Sequence, residues 1–186
     1  MFALVPRIVS PIAFQATRSS RQRLATLLVL LSGLLLIDIA RADDYPGAPA
    51  SVTAAYLEAD GAGQALASRT APELLQFTMW RQLDKFDSFA VVESYDIGEV
   101  GWTGNKADVQ ITYHVLGFVT GATFTAKPAL KEVFFSLEKS KGRWRIVSPR
   151  LPPHLFVPAA IAALEKAPAS DTPEGQASLG KLRALP

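Results

Sequence analysis

From residue 107 the chain alternates. Ala107, Val109, Ile111, Tyr113 and Val115 are interleaved with Asp108, Gln110, Thr112, His114 and Leu116. A period of two predicts a strand with one apolar face. Upstream, Phe89 to Val100 reads as a strand and Gly101 to Asn105 as the turn between the two. Gly117 and Gly121 bracket the end of the alternating run, and Thr120 to Pro128 reads as a loop. A third strand is expected from about Ala129 to Glu138, with Val133, Phe135 and Leu137 on one face. Lys139 to Gly142 reads as a hairpin turn and Arg143 to Ser148 as the fourth strand. Pro149, Pro152 and Pro153 cannot extend a ladder, so the sheet is expected to end there.

Before residue 87 the period is helical. Val52, Tyr56, Ala59, Gly63 and Leu66 fall on one helical face, with Ser51 as the expected N-cap, although Gly61 and Gly63 weaken its second half. Thr70 to Glu73 is a capping box with proline in the first turn, which predicts a second helix running to about Arg81. After the sheet, a short apolar helix is expected from about Pro158 to Lys166. Residues 167–186 are small, polar and proline-containing and read as a flexible tail, with Leu179, Leu182 and Leu185 forming at most a transient turn. The predicted class is α+β: N-terminal helices in the concavity of a curved, mainly antiparallel four-stranded sheet, plus a short C-terminal helix.

The first forty-odd residues have a different character. Leu24 to Ile37 is an apolar run flanked by Arg21 and Arg23 and followed by Ala40-x-Ala42. These are the three parts of a secretory signal peptide, and a helix of that length falls short of the roughly 30 Å hydrocarbon core. Cleavage after Ala42 and a periplasmic or secreted location are expected; an uncleaved anchor is the competing reading, and a mitochondrial presequence a lesser one. Residues 1–23 make a long basic preface, so the true start can lie downstream of Met1. Residues 43–50 read as a linker and 51–166 as the domain.

Charge divides at the same boundary. Residues 1–42 carry five arginines against Asp38, whereas the remainder holds 14 Lys/Arg and 16 Asp/Glu. A nearly neutral body argues against nucleic acid as a partner, and against a membrane except through the leader. The absence of cysteine excludes disulfides, thiolate nucleophiles and lipoprotein anchoring. The stretch GRWRIVSPRLPPH (142–154) looks like a basic-aromatic grip. On a strand, however, Trp144 and Ile146 face away from Arg143 and Arg145, so no stacking groove forms.

Other chemistry is sparse. His114 and His154 lie 40 positions apart with no third ligand at suitable spacing, so no metal or cofactor is expected. Ser68, Ser88 and Ser94 lack a neighbouring base, and Gly61-Ala-Gly63 sits in a helix rather than after a strand.

Two helices followed by a strand meander that ends in K-x-K-G-x-W-x-I (Lys139, Lys141, Gly142, Trp144, Ile146) resemble the nuclear-transport-factor-2-like superfamily over about Ser51 to Ser148. The segment Leu155 to Lys166 departs from that pattern. The resemblance implies a cone in which a curved sheet wraps the helices around an apolar pocket. Members include ketosteroid isomerases, dehydratases and cyclases, and many non-catalytic binding or dimerising domains. The isomerases need an Asp base facing a Tyr and a protonated Asp. The acids Asp108, Glu132 and Glu138 fall on outward or end positions, so no catalytic residue is carried over.

Tyr56, Trp80, Tyr113 and Trp144 project from the helices and the inner face; they are core aromatics or the lining of a small-molecule pocket. The outer face gathers His114, Leu116, Phe134 and Arg145, a mixed surface expected to pair two copies of the chain. The functional expectation is a non-catalytic module of the bacterial envelope for a small apolar ligand or an envelope protein. The alternative is a pocket enzyme of isomerase, dehydratase or cyclase type. The two differ in whether the cone holds a carboxylate or histidine desolvated enough to titrate near neutral pH.

Overall fold

Proline opens the first helix. Pro49 at its first turn has the φ a helix requires and no N–H to satisfy, so the N-terminus forms without a side-chain cap, its N-cap Ala48 lying three residues ahead of the expected Ser51. The computed structural model describes residues 48–66 and 71–186. The expected leader (1–42), most of the linker and Thr70 of the capping box lie outside the described residues. Helix α1 spans Pro49–Gly61 and stops where Gly63 turns to a φ of +80°; a single 3-10 turn follows over Gln64–Leu66.

The second helix is much shorter than its capping box predicts. Helix α2 spans only Ala71–Leu75. The chain then leaves the helix because a sheet edge captures it: Met79 N–H donates to the Ile146 carbonyl and Ile146 N–H to the Phe77 carbonyl, each at 2.9 Å. Trp80 Nε1 adds a 2.8 Å bond to the Val147 carbonyl. Backbone groups on a short edge strand need partners, and these tertiary bonds outweigh local helix propensity.

The sheet has five strands rather than the expected four. They are β1 (Ser88–Thr103), β2 (Lys106–Thr120), β3 (Thr123–Ser140), β4 (Arg143–Ser148) and β5 (His154–Phe156), in the order β4-β3-β2-β1-β5. The first four form an antiparallel meander; β5 returns past the prolines to pair parallel with Ala90–Val92. The expected loop at 120–128 is instead a tight turn, and β3 begins at Thr123. At Lys141-Gly142 both residues have positive φ (51° and 80°), as a two-residue hairpin matched to strand twist requires.

Bulges bend this sheet and switch its faces. Leu116 is an extra residue of β2 opposite the Val91–Val92 step of β1, and further shifts fall at Val92–Ser94 and Ile97–Val100. Up to Val115, the odd residues of β2 point inward to a core containing Tyr56, Leu57, Leu74, Phe135, Leu137, Trp144 and Ile146. Beyond Leu116, Val119 joins Val91 and Phe124 in a second core against α3 (Val157–Glu165) and α4 (Pro173–Arg183). Residues 167–186 are therefore not a flexible tail. Thr172 caps α4, and Leu179 and Leu182 are buried beside Leu164 and Phe124. Among the described residues no helix is long and apolar enough to cross a membrane.

The C-terminal end of α1 meets β5 at Gly61. A Cβ there would lie 2.4 Å from the Phe156 ring, which stacks on Tyr95 at 6.3 Å. Gly61→Ala is expected to lose about 1–3 kcal/mol by urea unfolding, although alanine is the better helix former. A stabilised variant would show that the contact gives way freely.

Candidate functional site

Helix spacing creates the site. Tyr56 and Asp60 are four residues apart, hence on one face of α1. Tyr56 meets Trp80 edge-on at 6.0 Å and Phe135 at 5.7 Å. Asp60 sits in the last turn, where the negative end of the helix dipole disfavours a carboxylate. Its Oδ2 accepts a 2.9 Å bond from His154 N–H, which joins α1 to the start of β5.

A cleft of about 600 Å³ opens beside these residues. Tyr56, Asp60, Leu74, Trp80, Leu83 and Pro153 contribute to its walls, and the exposed residues 81, 82 and 84–87 with Arg150 form its rim. Arg150 spans the rim, with its guanidinium 5.4 Å from the Trp80 ring and 2.9 Å from Asp84. The cleft is therefore apolar on its flanks, charged at the mouth and acidic at depth.

Burial governs the protonation of the groups below the cleft. Asp60 is 3% exposed. Desolvation pushes its carboxyl up to about 7 despite the opposing His154 N–H bond. Tyr56 and Tyr113 are driven well above the ordinary phenol value, first by burial and then by proximity to Asp60.

His154 lies against Tyr113, ring on ring, at 4.1 Å and 17°. Burial, reinforced by Lys131, lowers it to about 4, while the Pro152 carbonyl pulls slightly the other way. That carbonyl does not reach hydrogen-bond geometry, and among the described residues neither ring nitrogen has a partner. At neutral pH the interior thus holds an uncharged imidazole near a carboxyl poised to gain or lose its proton.

The structure separates the four aromatics expected in a pocket. Tyr56 and Trp80 touch each other on the cleft wall. Tyr113 lies deeper, against His154. Trp144 is buried near the β3–β4 turn beneath Lys139, whose Nζ is 5.9 Å from its ring centre. On the outer face, His114 Nε2 lies 2.7 Å from Asp96, Leu116 occupies the bulge, Phe134 is 55% exposed and Arg145 is half-buried. Sequence reasoning does not single out Asp60, and it weighs His154 only as a possible metal ligand. The Tyr56–Asp60 spacing was the available signal for the first; nothing local marked the second.

Among the described residues no group of three or more His, Asp or Glu side chains could hold a metal ion. Comparison with protein-family models, curated proteins and solved structures finds nothing that matches this chain.

Proposed function

We propose that the domain is an envelope binding module that takes a small, mainly apolar molecule with one hydrogen-bonding head into the cleft beside α1. The observation that carries this reading is the cleft itself, with apolar flanks and a carboxylic acid, Asp60, at depth. Small-molecule sites commonly combine an apolar lining with a few convergent polar groups. An exported location rests on the apolar run and Ala40-x-Ala42 of the leader. A nuclear-transport-factor-2-like origin is compatible with a helix lying against a curled α+β sheet.

One observation favours a second reading, acid–base catalysis: a carboxyl held at about 7 in a cleft is matched to proton transfer near neutrality. Binding is the parent property of both. The test uses the apolar fluorophore anilinonaphthalene sulfonate. It should bind with energy transfer from tryptophan, and Trp80→Phe should reduce the transfer while Tyr56→Ala weakens binding about tenfold. No fluorophore binding, or binding indifferent to both substitutions, overturns the cleft reading.

A further inference from the structure

Charge is segregated within the folded chain. Residues 48–186 hold 14 Lys/Arg and 14 Asp/Glu, a balance that conceals one strongly basic end. The β1–β2 turn at Gly104-Asn105 and the β3–β4 turn at Lys141-Gly142 lie at the same end of the sheet. A 2.8 Å bond from Lys139 N–H to the Asn105 carbonyl joins them.

Pairing sets Lys106 beside Glu138 and Glu138 beside Arg145; Lys139 then pairs with Trp144 and Ser140 with Arg143. With Lys141, that end carries five cations and one carboxylate, net +4, leaving −4 for everything else between 48 and 186. Glu138 offsets only Lys106, at 3.8 Å. On the same end Trp102 is 64% exposed.

We propose that this two-hairpin end docks on an anionic phospholipid surface, with Trp102 at headgroup level and the cations against the phosphates. Exposed indole rings settle at the membrane–water boundary, where an apolar body and a polar N–H are both satisfied. Clustered Lys and Arg add attraction to anionic lipid that salt screens. A nucleic acid fits less well. The cations flank both faces of a sheet end instead of tracking a groove, and Trp102 has no second exposed aromatic beside it at that end to hold a base. An acidic protein interface commonly has an apolar centre inside a polar rim, whereas Trp102 is the large exposed apolar side chain at that end. The docking is independent of what the cleft holds.

Brominated phospholipid quenches tryptophan on contact, and residues 1–42 contain no tryptophan, so the readout works on the full chain whatever the leader does. Vesicles of phosphatidylcholine with about 30% phosphatidylglycerol, the choline lipid brominated, should quench and blue-shift the emission. Trp102→Phe should remove that change. Lys141→Glu with Arg143→Glu takes the tip from +4 to 0 and should weaken vesicle affinity by about tenfold or more. Equal quenching by pure phosphatidylcholine vesicles, insensitivity to the charge reversals, or no quenching at all overturns the proposal. So does tight binding of a single-stranded oligonucleotide by protein that ignores the vesicles.

Discussion

Asp60→Asn is expected to be more stable than the parent chain at pH 8 by up to about 4 kcal/mol, and no more stable below pH 4. The carboxyl titrates near 3.8 when unfolded and about 7 when folded, so the folded state prefers its proton. Stability tied to that proton is complete below the unfolded value and is lost as pH rises through the folded one. A gap of about three units corresponds to about 4 kcal/mol. Asparagine keeps an oxygen to accept from His154 N–H and removes the charge. Urea unfolding from pH 4 to 8 decides the matter. If the variant is weaker than the parent at pH 8, the carboxylate is an ionised structural tie and the neutral-acid reading of the cleft is wrong.

His154 acts with the opposite sign. Its folded value of about 4 lies below the unfolded 6.5, so its contribution is complete above pH 6.5 and lost as pH falls through 4. Between about 4 and 6.5 folding takes up one proton at Asp60 and releases one from His154, and the two slopes cancel. Each substitution exposes the other slope. Asp60→Asn should gain about 1.4 kcal/mol per pH unit on going up through that window, and His154→Phe should lose about as much. Phenylalanine retains the stack on Tyr113 without two unpartnered nitrogens.

The strand meander was readable because its signals are local. Five buried residues spaced by two in β2, and a positive-φ turn ahead of Trp144 and Ile146, state their own structure. What could not be read depends on distant partners. Strand β5 is three residues long and exists only because Ala90–Val92 presents an edge. Helix α2 ends early because Ile146 captures Phe77 and Met79. Asp60 looks like any surface acid near a helix end; it becomes a buried site only when His154, 94 positions later, closes over it.

Ending the chain at Ser170 is expected to cost about 5 kcal/mol or more, comparable to the whole stability of an ordinary domain. Helix α4 reads as polar, yet its two leucines fill the second core: Leu182 is fully buried and Leu179 is 2% exposed. Removing either side chain at such a site costs about 2–5 kcal/mol. Its polar contacts matter as well. Ser178 Oγ accepts from Phe124 N–H at 3.0 Å, and Thr123 Oγ1 donates to Glu174 at 2.5 Å. Without α4, the buried Phe124 N–H on β3 loses its partner, and the apolar side chains of Phe124 and Leu164 face water. Leu182→Ala should reproduce about 3 kcal/mol of the loss with the chain length intact. If the truncated chain unfolds within about 1 kcal/mol of the parent, the helix is not part of the cooperative unit and the tail reading stands.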